Sequence, residues 1–269
     1  INPYLVDAPD VMMNNRQTPL CNAPEIGIGN KPIDGGHYLF TPEEKDEFIQ
    51  REPQAAKWFR RWIGAEEFIN GFDRWCLWLG DCPPNELRKM PEAMKRVEAV
   101  RETRLASKSA PTQKLAATPT RFHVENIPDA PYLVIPEVSS ERRAFVPIGF
   151  MQPDTLSSNK LRILPSATLY HFGMLTSTMH MAWMRAVTGR LKSDYQYSVG
   201  IVYNNFPWAT APSDKATASI EAAAQAILDA RALYPESSLA DLYDPLSMPP
   251  DLVKAHASLD KAVDAAYQF

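Results

Sequence analysis

An α+β fold is predicted for this chain: a mixed, mostly antiparallel β region with helices, followed by a small helical C-terminal domain. Three observations predict it. Short aromatic or β-branched runs, such as residues 74–79 and Tyr132–Pro136, are bounded by proline and have the length of strands. Phe172, Leu175, Met179, Trp183 and Ala186 recur at spacings of three and four, the stripe of a core-facing helix. The segment after Ser213 is alanine-rich with short apolar stripes and suits a helical hairpin.

The elements follow in order. The first 40 residues are rich in Pro, Asn and Gly and read as loops with short strands, and Gly29-Asn30-Lys31-Pro32-Ile33-Asp34-Gly35-Gly36 is a turn signal. Thr41-Pro42-Glu43-Glu44 starts a helix: Thr41 caps, Pro42 suits the first position, and Glu44 stands where a capping-box acid reaches back. That helix runs to about Arg51, before Pro53. A second helical piece carries Trp58, Phe59 and Trp62, and residues 74–79 form a buried strand ended by Pro83-Pro84. Residues 91–108 form a helix with charges on most faces, with Lys95, Arg96 and Arg104 on its exposed basic side. Pro111, Pro119, Pro128 and Pro131 keep residues 109–131 extended or looped. Strands at Tyr132–Pro136, 144–148 and Leu161–Leu164 precede a long helix over 168–191, a loop over 203–211, and two helices at about 214–234 and 250–267. The boundary between domains falls in residues 204–212, dividing 1–206 from 207–269.

With 269 residues, 45% of them hydrophobic and 22% charged, the chain has ordinary globular composition and room for one large or two modest domains. It contains no run of about 18 apolar residues, so no membrane-spanning helix is expected. Three cysteines make no disulfide framework, and an odd count fits a reducing, cytoplasmic compartment. The start at Ile1 without Met reads as an excised fragment or processed product. The formal charge of -4 argues against a generic polyanion binder. Its distribution is uneven: residues 88–121 hold nine Lys/Arg against three Asp/Glu, and residues 213–269 hold four against nine.

Catalytic signals are weak. Asn2-Pro3-Tyr4 lacks one proline of the tetrapeptide with which adenine-N6 methyltransferases hold a flipped adenine, and no strand with a glycine-rich turn precedes it. Asn204-Asn205-Phe206-Pro207-Trp208 matches no better and reads as a loop residue set that docks one domain on the next. His171 and His180 lie nine positions apart and face opposite sides of one predicted helix, so no metal pair is expected. Cys76 reads as core, and its spacing from Cys82 is too long for a zinc knuckle.

The basic middle is the stronger candidate. Arg88, Lys89, Lys95, Arg96, Arg101, Arg104, Lys108, Lys114 and Arg121 form a series of the kind that contacts phosphates. The alternative is a solvated helix with Glu92, Glu98 and Glu102 as internal partners. Arg142 and Arg143 add a second cluster, which could equally hold a turn beside Glu141. Base reading needs donors and acceptors on loops or strand ends. Two polar segments fit: 121–126, with His123, Glu125 and Asn126, and 152–162, with Gln152, Asp154, Ser157, Ser158, Asn159 and Lys160.

Several motifs occur in one order along the chain. They are Arg60-Arg61-Trp62-Ile63-Gly64-Ala65-Glu66-Glu67-Phe68-Ile69-Asn70-Gly71, then Arg74-Trp75-Cys76-Leu77-Trp78-Leu79, then Leu169-Tyr170-His171-Phe172-Gly173-Met174-Leu175-Thr176-Ser177, then Tyr203-Asn204-Asn205-Phe206-Pro207-Trp208. In this order they resemble the DNA target-recognition region of adenine-N6 DNA methyltransferases of the MmeI type, a restriction-modification family. Ser238-Leu239-Ala240-Asp241-Leu242-Tyr243-Asp244-Pro245-Leu246 and Met248-Pro249-Pro250 resemble the family's helical tail, and Ile1-Asn2-Pro3-Tyr4-Leu5 the segment leaving its methyltransferase domain. The resemblance implies that the chain recognises duplex DNA in a bacterial cytoplasm. It also implies that S-adenosylmethionine and the chemistry belong to an upstream domain of the same polypeptide, with no cofactor, metal or catalytic residue in this chain. An interaction module that docks a partner protein, or a complete small enzyme, are the rival expectations.

Overall fold

A computed structural model describes residues 12–267. After an irregular strap come β1 (Gly27–Ile28) and β2 (Leu39–Phe40). Helix α1 (Pro42–Arg51) starts at the expected capping box: Thr41 Oγ1 accepts from Glu44 N, and the Glu44 carboxylate accepts in turn from Thr41 N at 2.8 Å. Next come a 3-10 turn (Pro53–Trp58), β3 (Phe59–Ile63), α2 (Ala65–Asn70) and β4 (Arg74–Leu77). Short α3 (Pro84–Leu87) leads to α4 (Pro91–Leu105), then α5 (Ala110–Lys114). Five strands follow: β5 (Tyr132–Pro136), β6 (Val138–Ser139), β7 (Gly149–Met151), β8 (Thr155–Ser157) and β9 (Leu161–Leu164). Helices α6 (Leu169–Thr176) and α7 (Thr178–Val187) precede a hairpin of β10 (Gly189–Leu191) and β11 (Asp194–Gln196) and a π turn (Val199–Tyr203). The chain closes with α8 (Asp214–Ala232), α9 (Leu239–Leu242) and α10 (Pro250–Ala266).

The strands form three small sheets, ordered β1-β9-β5-β7, β10-β11-β6 and β2-β4-β3-β8. All pairings are antiparallel except β3 with β8. Strand β5 is buried along its whole length because both faces are covered. Leu133 and Ile135 join the large core with α6, α7, α8 and α10, while Tyr132 and Val134 face Phe68 and Ile69 of α2. A second core lies under the β2-β4-β3-β8 sheet, where Phe40, Trp62, Cys76 and Trp78 meet Met90, Val97 and Val100. The tail helices complete the large core. Ile220 and Ala224 of α8 and Leu259 of α10 crowd Gly173 of α6, where a Cβ would meet Ile220 Cγ2 at 2.8 Å.

Several sequence expectations are corrected. Trp58 ends a 3-10 turn, and Phe59 and Trp62 lie on β3, because a central strand accepts aromatics at that spacing as readily as a helix does. Residues 109–131 contain α5, since Pro111 falls in its first turn, where a missing N–H costs nothing. The strand expected at 144–148 begins only at Gly149, because Pro147 cannot donate to a ladder. The long helix over 168–191 is broken at Ser177, whose extended backbone ends α6 and whose hydroxyl accepts from His180 N at 3.2 Å to cap α7. Its last turn is the β10–β11 hairpin instead. Ile1-Asn2-Pro3-Tyr4-Leu5 lies outside the described residues.

Candidate nucleic-acid interface

The two polar segments singled out in the sequence, 121–126 and 152–162, meet in space. They are joined by Asn30, which is fully buried. Asn30 Nδ2 donates to Asn126 O at 3.1 Å and to Ser157 O at 2.9 Å, and Asn30 Oδ1 accepts from Asn126 N at 2.9 Å. Asn30 N also donates to Ser157 O, and Asn159 N to Asn30 O. One residue thus satisfies the backbone of segments that lack a common sheet. Gly29 beside it must be glycine for space, since a Cβ would collide with the backbone oxygens of Ser157 and Ser158. Ser158 N donates to Ile63 O at 2.8 Å, so the turn from β8 into β9 bridges two of the sheets. Asn159 and Lys160 stand on that bridge, on backbone fixed at both ends.

This bridge forms one wall of a cleft of about 560 Å3. Trp62, Glu66, Glu67, Arg74, Glu137 and the hairpin residue Leu191 also line it. Glu67 caps α2 through Gly64 N at 2.9 Å and pairs with Arg74 at 3.4 Å. Of these groups, Glu66 leaves its carboxylate exposed and Lys160 its ammonium, an acceptor and a donor of the kinds that base edges can meet.

The remaining candidates divide by environment. Gln152 is exposed, Asp154 accepts from Thr155 Oγ1 at 3.1 Å, and Ser158 is buried with its hydroxyl turned to Lys160 N. His123 is exposed. The Asn126 amide spends one donor on Ile28 O at 3.0 Å and its backbone is held by Asn30, so the side chain is anchored. Arg121 stacks over Trp78 and pairs with Glu125 at 2.6 Å and Asp81 at 3.6 Å. Arg142 is exposed, whereas Arg143 is half-buried near Asp244 and Asp194, and burial lowers its pKa.

In the basic series the internal-partner alternative holds for part of α4. Lys95 pairs with Glu92 at 2.6 Å, Arg101 with Glu98 at 3.5 Å, and Arg96 lies over the Phe40 ring. Arg104 contradicts the expectation outright. It is 1% exposed and occupies the fourth position of the buried stripe Ala93, Val97, Val100, Arg104. Its guanidinium donates to the Ile33, Leu115, Thr118, Pro32 and Arg121 carbonyls at 2.8–3.0 Å, which uses its full donor capacity. No phosphate can reach it. Arg88, Lys89, Lys108, Lys114 and Arg142 are exposed and make no side-chain ion pair among the described residues. They are the cations available to a polyanion.

Asn204 and Asn205 are also occupied. Asn204 Nδ2 donates to Arg16 O at 2.9 Å and Asn205 Nδ2 to Asn14 O at 3.0 Å, clasping the N-terminal strap on the π turn. The motif is a joint, but the two asparagines tie the N-terminal strap to the π turn, both within residues 1–206, and not one domain to the next as the sequence predicts. Sequence reasoning missed Asn30, Glu137 and the β10–β11 hairpin. Asn30 sits inside a Gly-Asn-Lys-Pro turn signal, and nothing in one sequence marks a turn residue as a hub.

The comparisons with known proteins agree in their extent. The MmeI target recognition domain profile matches residues 7–210, and the MmeI C-terminal domain profile matches residues 211–269. DNA methyltransferase A of Bacillus subtilis (strain 168) is 39% identical over 268 residues, covering 100% of this chain and 30% of the relative. The structure of the type IIL restriction-modification enzyme MmeI in complex with DNA superposes with a TM-score of 0.97 at 52% identity, covering 100% of this chain and 36% of that one. The chain spans about a third of the length of these relatives.

Proposed function

Because the chain belongs to the MmeI family, matching its target recognition and C-terminal domains in order, we propose that it recognises a specific sequence in duplex DNA and places a target adenine for N6 methylation by a methyltransferase domain upstream in the same polypeptide. The observation that carries this reading is the near-identity of fold with an MmeI chain whose structure was solved on DNA. The Asn159–Lys160 bridge, held at both ends beside a cleft that also carries Glu66 and Arg74, supports it from the chain's own geometry. Asn suits adenine and Lys suits guanine by donor and acceptor pattern. S-adenosylmethionine belongs to the upstream domain, and the isolated chain binds none. Micromolar cofactor affinity in calorimetry on residues 1–269 would refute that part. No helix of the described residues is long and apolar enough to cross a membrane, and we place the protein's work in the bacterial cytoplasm.

Two measurements test the reading. Asn159→Ala and Lys160→Met in the full-length protein are expected to change the methylated sequence at one or two positions, at a cost of roughly 1–3 kcal/mol for each base no longer read. Genome-wide mapping of N6-methyladenine reads this directly. An unchanged motif in both variants removes the bridge from the reading surface and leaves His123 as the candidate of the other segment. Separately, Lys108→Gln with Lys114→Gln is expected to weaken binding about equally for all sequences. The salt slope should fall by about one unit for each phosphate that is no longer neutralised. A partner-docking module would instead show no salt-sensitive shift of DNA at all.

A further inference from the structure

We infer that Glu137 is a positioning residue that holds both candidate readers, Asn159 and Lys160, and so sets how sharply bases are discriminated. This rests on the reading of those two residues given above. Glu137 follows β5, and its backbone is pinned on both sides: its N–H donates to Lys160 O at 2.9 Å, and its carbonyl accepts from Tyr197 N at 2.7 Å. Its carboxylate then forks. Oε2 accepts from Lys160 Nζ at 3.2 Å, and Oε1 from Arg162 Nη2 at 2.7 Å. The other arm of Arg162, Nη1, reaches Asn159 O at 3.4 Å. One carboxylate thus restrains Lys160 directly and Asn159 through Arg162.

The environments differ in a way that suits this role. The side chains of Glu137 and Arg162 are 16% and 12% exposed, while that of Lys160 is 67% exposed. The Glu137–Arg162 pair is the fixed part, and Lys160 is the arm left in solvent. A lysine ammonium has three donors. One is spent on Glu137, and two remain for the adjacent acceptors of a guanine. Without Glu137 the flexible four-carbon stem would sample many directions and reach phosphates as readily as bases. The local charge sum would also change, from one net positive charge in the Glu137, Lys160 and Arg162 trio to two.

The two effects have opposite signs, which makes the test sharp. In the full-length protein, E137Q is expected to lower discrimination about tenfold at the base pairs that Asn159 and Lys160 variants alter, while affinity for non-cognate duplex rises and its salt slope steepens by about one unit. E137D keeps the charge but shortens the fork, so discrimination falls while the salt slope stays at the wild-type value. The probes are a randomised duplex library, scored by enrichment, and a non-cognate duplex titrated with salt. If both variants enrich the wild-type sequence to the wild-type degree, the positioning role is overturned. If discrimination and non-cognate affinity fall together in E137Q, Glu137 is only a structural tie and the inference again fails. If the wild-type protein itself enriches no sequence, the DNA-reading function is what fails.

Discussion

Replacing Arg104 by leucine is expected to destabilise the protein by at least roughly 3 kcal/mol, at about 1–3 kcal/mol for each buried carbonyl left without a donor. Leucine fits the apolar stripe of α4 but removes five hydrogen bonds and leaves the Pro32, Ile33 and Arg121 carbonyls without a donor, since Leu115 O and Thr118 O also accept from the Thr118 and Arg121 N–H groups. The five partner carbonyls belong to the Pro32–Ile33 turn, to a 3-10 turn after α5 (Leu115–Ala117) and Thr118 at its end, and to the start of the 121–126 segment. Arg104 therefore ties three stretches of irregular backbone together beside the buried stripe of α4. No carboxylate among the described residues pairs with it directly. Burial lowers its pKa, and nearby Tyr38 and Asp34 act in the other direction. Arg104→Lys supplies three donors at most and should recover only part of the loss. Urea unfolding at constant slope measures the cost. A loss below about 1 kcal/mol in the leucine variant would mean that water satisfies the carbonyls and that the clamp is unimportant. At temperatures where the variant is folded, its affinity for non-cognate DNA should equal that of wild type, which separates this arginine from the phosphate-contacting cations.

Arg104 also shows where the sequence is readable and where it is not. The helix over 91–108 is expected with charges on most faces; the buried stripe at 93, 97, 100 and 104 emerges only in the structure, because a charged residue at its last position is assigned to solvent by its type. Side-chain chemistry decides exposure only after the partners are known, and the five partners come from separate stretches of chain. Local signals are more reliable. The capping box at Thr41 and the apolar run of β5 rest on neighbours in sequence and appear as expected. The long helix over 168–191 is not formed because its stripe continues across Ser177, where a single hydroxyl turns the chain. The candidate site is half legible. Loop polarity selects the segments that hold Asn159 and Lys160, but their union depends on Asn30, far from them in sequence. Their restraint by Glu137 likewise depends on strand pairing between β5 and β9. Family order, rather than any single motif, carries the functional expectation.

Acid is expected to destabilise the protein from about pH 6.5 downward, through His180 and His256. Both are buried, and burial pushes each down to about 3, with Arg231 adding repulsion at His256. His180 Nε2 lies 3.0 Å from the Tyr197 hydroxyl, against the Phe206 ring. His256 stacks on Phe145, and its Nε2 lies 2.9 Å from the Tyr243 hydroxyl. That hydroxyl already accepts from Arg231 Nε at 2.9 Å and Nη2 at 2.6 Å, so its own proton points to the imidazole. A neutral histidine accepts there, and a protonated one cannot. Between about 3 and 6.5 the unfolded chain binds a proton at each site that the folded chain refuses, so stability falls as pH falls across that window. At pH 5 each histidine costs about 2 kcal/mol, and the two together about 4 kcal/mol. The carboxylates held below their usual range, such as Glu92 and Asp241, act in a lower window, below their unfolded values near 4. Half-buried His171 is pushed down by burial as well and adds in the same direction. The measurement is the urea midpoint at about pH 7.5 and about pH 5, in wild type and in His180→Gln with His256→Gln, which keeps an acceptor but has no proton to gain. Most of the wild-type difference should vanish in the double variant, even if it is less stable at neutral pH. A pH dependence that survives the double substitution unchanged would assign the acid sensitivity elsewhere and leave the two imidazoles as inert packing.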